Sequence, residues 1–223
     1  MMTDILTMGK NARTASRSLG KLETNKKNEV LMAVADAIRA NADYILEENQ
    51  KDVEQGRADG MKSGLLDRLT LTKTRIDGMA DGVCQVAGLD DPIGEVLSMK
   101  KRPNGLLIGK KRVPFGVIAV IYESRPNVTA DAFALCFKTG NAVILKGGSD
   151  AINSNVAIAK VIRDALSSCG IDENALQLIA STDRECVKEL LTMNEYVDVV
   201  IPRGGRRLIQ FVVKNATVPV IET

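Results

Sequence analysis

The sequence predicts an α/β fold: N-terminal helices and a β-hairpin, followed by a doubly wound parallel sheet. Three observations predict it. From residue 115 onward, unbroken apolar runs alternate with helical patterns, and such runs read as strands covered on both faces. Before residue 95, apolar residues recur at helical spacing instead. Between the two regions, Asn-Gly sits between apolar runs, which is a hairpin signal.

The elements follow in order. Thr24 or Asn25 caps a helix carrying Leu31, Val34, Ala35 and Ile38 on one face. Ala42, Ile45 and Leu46 continue a similar stripe. Residues 57–64 are polar and Gly-rich, which predicts a loop. Thr72 caps a helix with Ile76, Met79, Val83 and Val86, and Gly88 with Asp90-Asp91-Pro92 ends it. Pro103-Asn104-Gly105 turns the hairpin between Val96-Leu97 and Leu106-Leu107-Ile108. Strands are then predicted at 116–121, 142–145, 176–179, 197–201 and 218–221. Helices are predicted at 127–139, at 151–168 with Val156, Ala159, Ile162 and Leu166 inward, at 205–215, and from a Thr182 or Asp183 cap to Leu191.

Composition narrows the chemistry. The 223 residues hold 30 Lys and Arg against 28 Asp and Glu, a net charge of +2, too balanced for a generic nucleic-acid field. Aromatics are 3%, too few for a base-stacking platform. There is no His, which removes His triads, His metal sites and His proton shuttles. The longest aliphatic run, Val117 to Ile121, is far short of a membrane span. Cys84, Cys136, Cys169 and Cys186 are widely spread, which suits reduced thiols in a cytoplasm. Cys136 reads as a buried structural thiol, and none of the four falls in a strand-end turn.

In an open parallel sheet, ligands bind beyond the carboxyl ends of the strands, so the chemistry is sought in the strand-to-helix turns. The turn after the first core strand is Tyr122-Glu123-Ser124-Arg125-Pro126-Asn127. Either Arg125 forks onto a carboxylate or phosphate and Asn127 donates to an oxyanion, or Ser124 or Asn127 caps the helix and Arg125 pairs with Glu123. The second turn is Lys146-Gly147-Gly148-Ser149-Asp150. Its glycines admit a close ligand, and a Lys ending a buried strand must reach water or a partner. It is neither a Walker A loop nor a GxGxxG. A third turn, Pro202-Arg203-Gly204-Gly205-Arg206-Arg207, suits a polyanion, or else a solvated basic surface.

These segments carry a resemblance. The run Arg112-Val113-Pro114-Phe115-Gly116-Val117-Ile118, the turn from Tyr122 to Thr129, the stretch from Lys138 to Gly148, and Asp198-Val199-Val200-Ile201-Pro202-Arg203-Gly204-Gly205 resemble the γ-glutamyl phosphate reductases of proline biosynthesis. The likeness extends to Leu89-Asp90-Asp91-Pro92-Ile93-Gly94. That family lies within the aldehyde dehydrogenase superfamily. The resemblance implies an aldehyde dehydrogenase-like fold, with a helical region and hairpin over 1–114 packing on an NADP-binding, Rossmann-like domain over 115–223. It implies NADPH-dependent reduction of γ-glutamyl phosphate to glutamate 5-semialdehyde, with phosphate release. Lys146, Gly147, Gly148, Ser149, Arg203, Gly204 and Gly205 are then the cofactor-binding residues. Ser124, Arg125 and Asn127 face the substrate. An ungapped match puts Arg125 where the superfamily has its oxyanion Asn, and Asn127 is the alternative donor. No metal is implied. Glutamate 5-kinase is an implied partner, and the full-length family member is a homo-oligomer. The nucleophilic Cys of the family lies beyond Thr223, so the chain is expected to be an N-terminal portion, inactive alone. Two other readings stay open: another acyl-phosphate or acyl-CoA reductase of the superfamily, and a non-catalytic nucleotide-binding or interaction fragment.

Overall fold

The computed structural model describes residues 4–181, 183 and 185–222. The N-terminal region builds α1 (Ile5–Leu19), α2 (Thr24–Ala40), α3 (Ala42–Ala58), α4 (Ser63–Leu69) and α5 (Lys73–Gly88). Asp4 caps α1 by accepting from the Thr7 N–H, and Thr72 caps α5 by accepting from the Arg75 N–H. The apolar stripe of α2 packs against Ile76, Met79, Ala80 and Val83 of α5. The predicted Thr24 or Asn25 cap does not form. Both residues lie inside α2, and the Thr24 hydroxyl instead donates to Asp91 at 3.0 Å. The loop predicted over 57–64 shrinks to 59–62, because α3 runs to Ala58 and α4 opens at Ser63. Gly60, at φ +70°, makes the reversal. Leu69 then closes α4 into a small apolar cluster with Val53 and Ala151.

The predicted hairpin forms. β1 (Val96–Lys101) pairs antiparallel with β2 (Leu107–Lys111), with Gly105 at φ +86° and the Asn104 side chain accepting from the Leu106 N–H. Every position of both strands is exposed.

The second region alternates β3 (Val117–Tyr122), α6 (Asn127–Lys138), β4 (Ala142–Lys146), α7 (Ile152–Ser168), β5 (Leu176–Leu178), α8 (Glu185–Leu191), β6 (Val199–Arg203) and α9 (Arg206–Asn215). The sheet order is β5-β4-β3-β6 and all pairings are parallel. β3 and β4 are buried throughout, which explains their unbroken apolar sequence. The fourth strand begins at Val199 rather than Val197, because Asp198 turns its carboxylate to the Val117 N–H and the Arg13 guanidinium. The stretch 218–221 makes only a single bridge, Val200 to Val220. On α7, Ala159, Ile162 and Leu166 of the predicted stripe are buried, joined by Ala157, Ile158 and Val161, whereas Val156 is exposed. Asp183 accepts the Glu185 N–H at the start of α8, and Thr182 lies outside the described residues.

One hydrophobic core runs from the N-terminal helices into the sheet. Polar clamps cross the same seam. Arg13 on α1 grips Asp198 with two bonds of 2.8 and 3.0 Å. Asp52 on α3 receives the backbone N–H groups of Asn153 and Ser154 at the start of α7. Lys27 on α2 pairs with Asp91 at 2.7 Å, both nearly buried. Among the described residues, no helix is long and apolar enough to cross a membrane.

Candidate active site

The carboxyl edge of the sheet is where the parallel strands release their turns, and three of those turns are stitched together there. The Glu123 N–H donates to the Arg203 carbonyl, and the Glu123 carboxylate accepts the Gly205 N–H at 3.0 Å. Ser124 donates its hydroxyl to Asp150, joining the β3 turn to the β4 turn. The glycines serve this stitching. A Cβ on Gly204 would stand 2.7 Å from the Glu123 carboxyl carbon and 2.8 Å from Leu208. A Cβ on Gly147 would stand 2.2 Å from Asn155 Nδ2 and 3.1 Å from the Tyr122 ring, and one on Gly148 would meet Asp150 at 2.4 Å. In this structure protein atoms occupy those approaches.

Lys146 ends β4 almost buried, and among the described residues its ammonium bonds only the Gly147 carbonyl, at 2.7 Å. Burial lowers its pKa below that of an ordinary lysine, while Cys186 and Asp150 pull the other way. An ammonium with donors to spare at a sheet's carboxyl edge, beside Ser149 at the opening of the next helix, fits a ribose hydroxyl or a phosphate. Below it, Tyr122, Thr129 and Asn155 form a buried hydrogen-bonded chain whose far end, Asn155 Nδ2, has no partner among the described residues.

Beside these turns, α4 and α5 close a cleft of two lobes. One, of about 570 Å³, lies between the β3 and β6 turns and α4, with Glu123, Ser124, Arg203 and Gly204 on its walls. The other, of about 420 Å³, runs between α5 and the start of α6, with Leu71, Arg75, Met79, Asn127 and Asp131. Arg68 and Arg125 line both. Among the described residues, Arg68, Arg125 and Arg203 have no carboxylate partner, whereas Arg75 pairs with Asp67 at 3.0 Å. The pairing of Arg125 with Glu123 weighed from the sequence does not form. Asn127 spends one amide hydrogen on Asp131 at 2.9 Å. Three unpaired guanidiniums around a concave site are a ready anion receptor.

The four cysteines lie outside the two lobes, although Cys186 is near enough to Lys146 to raise its pKa. Cys136 is buried in the core, and burial pushes its thiol up to about 12. Among the described residues, no cysteine lines either lobe. The sequence pointed to Ser124, Arg125, Asn127 and Arg203 but missed Arg68, Arg75 and Asp131. The available signal was the pair of arginines near Leu69, hidden because the stretch before it reads as loop.

The family model described as the aldehyde dehydrogenase family matches residues 2–222. The chain belongs to the aldehyde dehydrogenase family. Its aldehyde dehydrogenase fold is shared with a crystal structure of γ-glutamyl phosphate reductase from Thermotoga maritima, at TM-score 0.96 and 46% identity, over 99% of this chain and 53% of that one. The Saccharomyces cerevisiae reductase superposes at TM-score 0.90 with 35% identity, over 99% of this chain and 56% of that one. A curated relative from Lachnospira eligens named γ-glutamyl phosphate reductase is 60% identical over 222 residues, all of this chain and 54% of its own length. The chain spans about half the length of the curated relatives it matches. Aldehyde dehydrogenases use nicotinamide dinucleotides, which agrees with the donor set around Lys146.

Proposed function

We propose that this chain provides the cofactor site and the anion-binding wall of a γ-glutamyl phosphate reductase, which reduces γ-glutamyl phosphate with NADPH to glutamate 5-semialdehyde and releases phosphate. The observation that carries the reading is the cleft at the sheet's carboxyl edge, where Arg68, Arg125 and Arg203 converge with no ion pair among the described residues, in a chain 60% identical to a named reductase.

Each residue then has a task. Lys146 holds the adenine-side ribose or its 2′-phosphate through a charge-assisted bond, with Ser149 beside it. The Gly204-Gly205 turn, held by Glu123, borders the cofactor, which supplies hydride when bound. Arg203 holds the acyl phosphate in the lobe beside Gly204 and neutralises the departing phosphate, with Arg68 and Arg125 on the wall shared with the second lobe. Asn127 offers its remaining amide hydrogen to the acyl oxygen. Ser124, by holding Asp150, keeps the two turns in register. Cys84, Cys136, Cys169 and Cys186 stand away from the cleft and do not supply the thiolate that attacks the acyl phosphate. Glutamate 5-kinase, which makes the substrate, is the proposed upstream partner.

A titration of the chain with NADPH, followed by nicotinamide fluorescence, tests the cofactor assignment. Saturable binding is expected, and Lys146→Ala should weaken it by roughly 10–100-fold, the range of a lost charge-assisted bond. The effect on NADH should be smaller, since NADH lacks the 2′-phosphate. Absence of saturable NADPH binding, or an unchanged Kd in Lys146→Ala, overturns the assignment.

A further inference from the structure

The lobe between α5 and α6 contains a group that the phosphate chemistry does not use. Asp131, one turn into α6, is half-buried and lines this lobe. Its one hydrogen bond among the described residues comes from the neutral Asn127 amide. No cation among the described residues bonds it directly, although Arg203 is near enough to draw its pKa down. Burial raises that pKa, the mark of a carboxylate short of a counter-charge. Such a group facing solvent in a cleft has room for a cation. The walls on either side, Arg68 and Arg125, are cationic and repel that cation unless it arrives with an anion of its own. Between the polar groups, Leu71 and Met79 give an apolar floor. An ammonium, a carboxylate and a short methylene chain are the features of an α-amino acid.

We propose that this lobe is an α-amino-acid subsite, in which Asp131 receives the α-ammonium of the substrate while Arg68 and Arg125 face its α-carboxylate. The proposal rests on the reductase reading and deepens it. The arginine-lined lobe at Gly204 takes the phosphate end, and the Asp131 lobe takes the amino-acid end. Asp131 thereby selects a γ-glutamyl group over the corresponding glutaryl group.

The test compares two probes by calorimetry: a non-hydrolysable acyl phosphonate analogue of γ-glutamyl phosphate, and the same compound lacking the α-amino group. The chain is expected to bind the amino probe about tenfold or more tightly than the desamino probe, the worth of one charge-assisted bond. Asp131→Asn should abolish this difference and leave the desamino affinity within about twofold. Equal binding of both probes by the unsubstituted chain overturns the subsite and leaves the reductase reading standing. So does an equal loss of both in Asp131→Asn. Binding of neither probe overturns both. The two-probe comparison on the unsubstituted chain decides the matter even if the variant does not fold.

Discussion

Single residues at the carboxyl edge of the sheet are constrained in ways their identities do not advertise. Gly147 invites the reading that a ligand presses on its backbone, but the space its missing side chain leaves is taken by Asn155 and Tyr122. Gly147→Ala should therefore destabilise the chain by about 1–3 kcal/mol as these two are pushed aside, read as a lower urea midpoint at unchanged slope. Lys146 carries a second expectation, in pH. Burial lowers its pKa, so the protonated form that grips a phosphate is lost on raising the pH sooner than for an ordinary lysine. NADPH affinity should fall as pH rises through that lowered value, below about 10.4, while Lys146→Ala shows no such fall over the same range. A Kd measured at intervals from neutral to alkaline pH checks it. Lys146 was legible because a cation at the end of an apolar strand conflicts with its surroundings. Asp131 was not, since a carboxylate on an amphipathic helix reads as solvated surface until the neighbouring helix half-buries it.

Among the elements, α4 matters beyond its seven residues. It carries Arg68 into the cleft, and it is fixed by Leu69, which packs on Val53 and Ala151 away from the main core. Leu69→Ala should cost about 2–3 kcal/mol, the low end for such truncations because a small satellite cluster can relax. It should also weaken phosphonate-probe binding by loosening Arg68, although Leu69 touches neither lobe. Calorimetric titration and a denaturation curve on the same sample check both. The sheet strands and the Asn-Gly hairpin were readable because burial on both faces, or a turn needing positive φ, leaves a local mark. α4 was not, since Ser63-Gly64 at its start weakens the helical pattern and its helical state depends on the distant α7 turn. The predicted Thr24 cap failed for the same kind of reason: Asp91, far along the chain, claims the hydroxyl.

At the scale of the whole molecule, the N-terminal helices and the sheet share one core, and polar clamps lock the seam. Asp198 is the key atom set: it satisfies the Val117 N–H at 2.7 Å and both Arg13 nitrogens. Asp198→Ala should cost about 1–3 kcal/mol, because a strand N–H and a guanidinium lose their acceptor together. Combined with Arg13→Ala, the losses should be less than additive, as expected for partners in one interaction. The paired urea curves of the single and double variants check it. The clamp also imposes an order on biosynthesis. Arg13 and Asp198 are 185 residues apart in sequence, so a ribosome adding about 5–20 residues per second needs about 10–40 s to deliver the aspartate after the arginine has been made. Through much of that interval the apolar stripe of α1, with Ile5, Ala12 and Leu19, waits for β4 and the turn at Glu173–Ala175 on which it packs. α1, made before the other described elements, is thus among the last of them to be secured, and the nascent chain presents its apolar stripe to chaperones while it waits.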